Sequence, residues 1–262
     1  MQARSLHQYR NVKPVKTATS IILLTLVWEL VGRARVYPSY MLPSFSEVAC
    51  SFMDEEYLHI LLENTAPTIL RAGLGFLLGS LMGIILGFLI VGLKLEEYIQ
   101  PVASILFTIP TVALVPLLIL WVGLDPIVLP ITASFICSFP PILYGVLNAR
   151  RTVDLDQVEV ALTLGANTWT TLTRVVAPIS LLKITPIVKT EAIMVFKTTL
   201  VVEMLALTSG LGHLLLMYSI TIDVKHLLST IIALSIVIVA IVESIDVVEK
   251  RIASKWIGER SW

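Results

Sequence analysis

The chain is 262 residues long, 56% hydrophobic and only 15% charged, with 19 basic and 19 acidic residues. Soluble domains carry about 25% charged residues, so this composition excludes an ordinary globular domain and marks a membrane protein; the mean hydropathy of +0.87 agrees. Zero net charge argues against a nucleic-acid partner, and Cys50 and Cys137, lying far apart with no CxxC or Cys/His cluster, indicate neither structural zinc nor a redox motif.

Residues 1–16 contain Arg4, Arg10, Lys13 and Lys16 and no acid, and an apolar segment follows from Thr17 to Gly32. No small-x-small cleavage site comes after it, so it reads as a retained first span rather than a secretory signal. It is somewhat short for a hydrocarbon core about 30 Å thick. Residues 33–66 are mixed, with Glu47, Asp54, Glu55, Glu56 and Glu63, and are expected to hold a short amphipathic helix outside the membrane. Ala72–Leu93 is a second span without a charge. Gly75, Gly79, Gly83 and Gly87 fall four apart within it, so all four lie on one helical stripe that admits a close neighbour.

After the polar Lys94, Glu96 and Glu97, the stretch Tyr98–Leu124 is free of charge except for its closing neighbour Asp125, and carries Pro101, Pro110 and Pro116. Proline within a span frees backbone carbonyls, which neighbouring helices or a water-lined cavity must satisfy. A bent third span is expected here, beside a cavity or bent for packing alone. A fourth span, Pro126–Ala149, has Pro130, Pro140 and Pro141, and Arg150 and Arg151 follow it.

The stretch Glu159–Pro178 is the most polar and most helix-patterned segment between two hydrophobic spans. Just ahead of it Asp154 and Gln157 have N-cap spacing, and Leu155, Val158 and Leu162 mark one face of a short amphipathic helix. Gly165 is placed to end that helix. Asn167 is placed to cap a second one, with Trp169, Leu172 and Val176 on its apolar face and Pro178 closing the unit. The product is a two-helix knob between spans, which needs a surface to dock on.

The fifth span, about Ile184–Leu207, contains Lys189 and Glu191 near its start, Lys197 at mid-depth and Glu203 towards its far end. Ser209-Gly210-Leu211-Gly212 breaks it, and the apolar stretch to Ile222 reads as a re-entrant or surface helix. The last span, about Leu227–Val242, ends in a tail with Lys250, Arg251, Lys255 and Arg260. Six spans place both termini on one side. That side also receives Lys94, Arg150, Arg151 and Arg174, against Arg33, Arg35 and Lys225 opposite, so tails and knob are expected to be cytoplasmic.

No G-x-S-x-G, H-E-x-x-H or paired carboxylates occur, so no catalytic residue is assigned. There is no G-x-x-x-x-G-K-[ST] either, so any ATP-driven step needs another polypeptide. His7, His59, His213 and His226 are scattered and read as isolated residues rather than metal ligands. Lys197 is the sharpest chemical feature, because a lysine at the centre of a membrane helix costs about 3 kcal/mol. Either it lines a translocation path for an anion with Thr198 and Thr199, or it pairs with a group on a neighbouring helix. Glu203, six residues on, points to a different side.

Glu159, Ala161, Gly165, Val175 and Pro178 match the spacing E-x-A-x3-G-x9-hydrophobic-x2-P, and here the chain resembles the permease subunits of ABC importers. Val160 stands where that family commonly has a second alanine and Ala177 where it often has leucine. The blocks Ile109–Gly123, Ser138–Asp154 and Val201–Leu215 resemble the branch importing sulfonates, taurine, nitrate, bicarbonate or thiamine precursors. Lys197 departs from the aromatic or small residue usual there.

The resemblance implies an all-α membrane protein with six transmembrane helices in the type I ABC importer permease fold. It implies one permease domain over 1–262, with cytoplasmic tails at 1–16 and 248–262 and a bundle over 17–247. The loop at about 150–180 would couple to the ATPase through Glu159, Ala161, Leu164, Gly165, Ala166, Trp169 and Pro178. Pro110, Lys197, Thr198, Thr199 and Glu203 would line the path. The implied partners are a second permease copy, most simply a homodimer, two ATP-binding subunits that hold the ATP and Mg, an extracytoplasmic solute-binding protein, and membrane lipid. The location would be the cytoplasmic membrane of a bacterium or archaeon. A small anion leads as solute, with a thiamine or riboflavin precursor next. A secondary transporter or channel would also show six spans and an intramembrane lysine, but would more often show paired repeats. A membrane scaffold would explain the knob but not the proline-bent spans.

Overall fold

A computed structural model describes residues 2–151 and 153–257, with side chains described over 16–151, 153–154 and 156–251. Within those residues the regular elements are helices: α1 (Gln2–Arg33), α2 (Phe45–Cys50), α3 (Glu55–Gly92), α4 (Glu96–Thr108), α5 (Thr111–Val122) and α6 (Val128–Arg151), then α7 (Leu155–Thr163), α8 (Thr168–Thr171), α9 (Ala177–Ala206), α10 (Leu211–Ile220) and α11 (Val224–Ile257). Side chains of Arg4, Arg10, Lys13, Leu155 and Lys255, and all of Arg260, lie outside the described residues. The chain divides into two units, one of residues 1–62 with 215–232 and one of residues 63–214 with 233–262.

In the first unit, the segment after α1 folds back onto that helix. Gly32 permits this, because a Cβ there would lie 2.6 Å from Ser44 Cα. Trp28 donates its indole N–H to Pro43 O at 3.0 Å, and Glu29 accepts from both the N–H and the hydroxyl of Ser46. Ser44 and Glu47 form a reciprocal capping box at the start of α2, the short helix expected in residues 33–66. Tyr57 packs its ring against Phe52, Tyr218 and His226 and meets Thr230 through its hydroxyl, while Ser229 donates to Val48 O.

The second unit is organised on α6, which is buried at Ser134, Ser138, Ile142 and Val146 among other positions. Those four face the glycine stripe of α3 in register. A Cβ on Gly75 would meet Ser134, one on Gly79 would meet Ser138, one on Gly83 would meet Ile142 and one on Gly87 would meet Val146. Both series ascend by four, so α3 and α6 run parallel at close approach, the small-x-x-x-small mode. Parallel neighbours require the chain between them to return to its starting side, and α4 and α5 do this. They are not one bent helix but two, set at 90° across Ile109 and Pro110.

Pro110 is extended and begins α5; the residue before a proline is driven out of helical geometry, so the break falls here rather than at Pro116. Pro116, Pro140 and Pro141 stay inside their helices. Asp125 accepts from the N–H groups of Ile127 and Val128 ahead of α6, and these bonds hold its carboxyl below the ordinary carboxylate range. On its other side α6 packs antiparallel to α9, with Ser134 against Thr199 and Gly145 against Ile187. Lys189 of α9 forms ion pairs with Asp246 and Glu249 of α11.

Among the described residues three helical stretches are long and apolar enough to cross a membrane: α3, α6 and Val224–Arg251 of α11. Counting the bent pairs α4/α5 and Thr168–Ala206/α10 as one crossing each gives up to five. The first expected span, Thr17–Gly32, lies inside α1, which is not among these stretches. α3 has 38 residues, and at 1.5 Å per residue it is roughly 57 Å long, so it extends well beyond the hydrocarbon.

Candidate functional site

The knob is built by local signals. Asp154 caps α7 by accepting from Asp156 N–H. The far end of α7 closes with two reversed bonds, Ala166 N–H to Ala161 O and Gly165 N–H to Leu162 O, with Gly165 at φ +87°. This pairing requires a left-handed residue at Gly165, where any Cβ is strained although nothing crowds it. Asn167 then caps α8 by accepting from Thr170 N–H at 2.8 Å.

Pro178 does not close the unit. The helix runs without interruption from Thr168 to Ala206, through a π-helical turn at Leu172–Val176. In that turn Ala177 N–H reaches back five residues to Leu172 O. A proline lacks an N–H and crowds the carbonyl four residues back, and a π turn just ahead of it relieves both. The fifth span therefore starts inside the knob, well before Ile184, and knob and span form one continuous helix.

The knob is half anchored and half bare. Leu172 and Val176 enter a core with Val91, Ala103, Leu143, Leu147 and Val153, and Val158 packs on its edge. Leu164 is 83% exposed and Trp169 49%, and Val160 and Leu162 are also exposed. Four apolar side chains on one small projection form an exposed apolar patch. Glu159 is exposed beside them, and Ala161 and Ala166 are half-buried.

The second assembly lies at the break between α9 and α10. Glu203 is 0% exposed and Arg71, from α3, is 5% exposed. Arg71 Nη1 donates to Glu203 Oε1 at 2.9 Å and to Ser209 O at 3.0 Å, while Nη2 reaches Ser209 Oγ at 2.8 Å. Glu203 also accepts from Thr68 and from Gly212 N–H. The N–H groups of Gly210 and Leu211 go to Asn64 Oδ1 and Thr68 Oγ1. A broken helix at membrane depth exposes N–H groups that hydrocarbon cannot satisfy, and here three consecutive ones receive side-chain acceptors. Gly210 at φ +108° and Gly212 are needed for space as well, since Cβ atoms there would lie 2.3 Å from Glu203 and from Leu200 O.

The expected path residues separate. Thr198 and Thr199 are buried against α6, bonding Cys137 Sγ and Ser134 Oγ, and Glu203 belongs to the break. Lys197 is exposed on α9 and has no ion pair among the described residues, and Pro110 is exposed at the α4/α5 corner. Sequence reasoning missed Arg71, Thr68 and Asn64. The signal was available in Glu203: a carboxylate inside an apolar span demands a cation, and Arg71 stands one residue ahead of an uncharged span.

Helices broken at Pro110 and at Ser209–Gly210, with an anchored two-helix loop feeding the last long inner helix, give the type I ABC importer permease fold. The inward-facing MetNI methionine ABC transporter shares it with a TM-score of 0.66, over 76% of this chain and 99% of that chain, at 18% identity. The chain belongs to the family described as binding-protein-dependent transport system inner membrane component, which matches residues 75–257. It is 28% identical over 195 residues to the putative aliphatic sulfonates transport permease protein of Bacillus subtilis, covering 74% of this chain and 70% of that one. It is 30% identical over 197 residues to the riboflavin transport system permease protein of Chloroflexus aurantiacus, covering 75% and 73%.

Proposed function

We propose that this permease forms, as a homodimer, the path for a small anion, and couples through the knob to a separate ATPase that binds the ATP and Mg. The exposed apolar knob carries the reading: Val160, Leu162, Leu164 and Trp169 project from a base fixed by Leu172 and Val176. Such a patch on a water-facing loop needs a protein to cover it, and an ATPase groove fits a two-helix projection. The helix continuing from Thr168 to Ala206 gives the knob a rigid lever into the bundle. Force applied at the loop therefore reaches Lys197 along one continuous helix. A partner whose affinity differs between two states of the bundle biases their equilibrium. An extracytoplasmic binding protein delivers the solute, and the loop and both tails face the cytoplasm of a bacterial or archaeal cell.

Lys197 supports an anion. An exposed lysine at mid-span is expensive against lipid, so its face turns to a water-filled path or a second copy. The relative named for aliphatic sulfonates supports a sulfonate, and taurine, nitrate and bicarbonate are the other small anions this reading admits. Riboflavin or a related precursor is the second reading, favoured by the riboflavin permease relative.

Copurification from gently solubilised membranes tests the coupling reading: an ATPase subunit is expected to come down with the permease, and its absence in every detergent overturns the assignment. In the reconstituted transporter, Lys197→Gln is expected to lower anion uptake at least several-fold and leave ATPase association intact. Unchanged anion uptake in Lys197→Gln overturns the role given to Lys197, and uptake of riboflavin alone by the wild type overturns the anion.

A further inference from the structure

A cavity of about 340 Å³ lies between the knob and the ends of α3 and α6, lined in part by Leu162 of the exposed patch and by its anchors Leu172 and Val176. Its polar lining is Lys94, Glu96, Arg150, Thr168 and Thr171. Thr171 is 5% exposed, and its hydroxyl has no hydrogen-bond partner among the described residues. Buried hydroxyls are nearly always bonded, and this one is sealed from solvent, so a ligand atom meets it only when the Thr171 side chain turns into the cavity. Lys94 and Arg150 make no ion pair among the described residues, so two cations face one carboxylate, Glu96, around the mouth.

Lys94 carries a second mark. It has φ +59° and occupies the left-handed position after α3, with Lys94 N–H bonded to Val91 O and Leu95 N–H to Ile90 O. Glycine is the favoured residue for that geometry, and a lysine is held there against backbone strain. The lining also carries the apolar Val158, Leu172 and Val176. Unpaired cations, an unpartnered hydroxyl and apolar lining residues at the end of membrane helices fit an amphiphile with a phosphate group.

We infer that this cavity binds a phosphate group, from an anionic phospholipid or a soluble phosphate ester, with Lys94 and Arg150 taking its charge and Thr171 donating to one of its oxygens. Because Leu172 and Val176 both line the cavity and anchor the knob, occupancy braces the loop. That consequence rests on the coupling reading, whereas binding itself does not.

The test uses the full-length permease without any ATPase, so its failure is distinct from a failure of coupling. The detergent-purified protein is titrated with phosphatidylglycerol, phosphatidylcholine and glycerol 3-phosphate, and its thermal unfolding midpoint gives apparent affinities. Saturable stabilisation by phosphatidylglycerol but not phosphatidylcholine is expected, and stabilisation by glycerol 3-phosphate as well would assign a soluble source. Lys94→Gly, which relieves the strain, and Arg150→Gln are each expected to weaken binding roughly tenfold. Thr171→Val is expected to weaken binding while melting no lower than wild type without ligand. Arg174→Gln, an exposed cation on the same loop outside the cavity, should bind like wild type. Equal response to the two lipids with none to glycerol 3-phosphate, or wild-type affinity in Lys94→Gly and Arg150→Gln, overturns the site.

Discussion

The knob at 154–178 and the break at 203–212 both interrupt long apolar helices, yet they are held in opposite ways. In the knob, Asp154, Gly165 and Asn167 satisfy backbone groups within a few residues of themselves, and the apolar side chains between are left bare. At the break, Asn64, Thr68 and Arg71 arrive from about 140 positions away, and Glu203 is sealed from solvent. A loop meant to meet water and a partner is capped locally and stays available. A break inside the apolar bundle has no water to fall back on and must borrow its acceptors from another helix.

The largest expected effect falls at the break. Arg71→Met leaves the Glu203 carboxylate buried without its cation and should cost about 3–5 kcal/mol. The double variant Arg71→Met with Glu203→Leu should recover part of that in thermal unfolding. If the double variant is no more stable than Arg71→Met, the ion pair is not what holds the break.

The close approach of α3 and α6 gives the next contrast. A Cβ at Gly79 would lie 2.1 Å from Ser138 Oγ and 2.9 Å from Phe135 O, whereas Gly73, on the same helix, meets nothing within 4 Å. Gly79→Leu should therefore destabilise by roughly 1–3 kcal/mol or prevent assembly. Gly73→Ala should be neutral or stabilising by a few tenths to about 1 kcal/mol, as for any exposed helical glycine. Equal unfolding midpoints for the two would contradict the register described. Smaller still, Asn167→Ala removes one local cap and should cost about 1 kcal/mol. Hydrogen exchange should show that loss confined to α8 and the π turn; loosening that spread to the α9–α10 break would blur the distinction between the two regions.

What was legible in the sequence follows the same division. The caps at Asp154 and Asn167 and the stop at Gly165 are local chemistry and formed where the spacing placed them, and the break expected from Ser209-Gly210 is present too, though what holds it is not local. The glycine stripe announced a close neighbour but not which one, because the matching series Ser134, Ser138, Ile142 and Val146 mixes small polar with bulky apolar residues and carries no repeat of its own. Pro178 misled, since proline ends a helix only if the preceding turn keeps its ordinary bonds, and the π turn changes them. Tyr98–Leu124 read as one bent span because hydropathy does not register a 90° corner. Arg71 was passed over because it stands just outside an apolar run, and its role depends on a carboxylate 132 residues later.

The central claim is that the knob is finished as a fold and unfinished as a surface. Leu164→Asp tests it most directly, because that side chain is 83% exposed. Its unfolding midpoint should match wild type, a change within about 0.5 kcal/mol, while the ATPase no longer copurifies and ATP-driven uptake stops. An ATPase that stays bound to the Leu164→Asp permease, with uptake unchanged, would contradict the account.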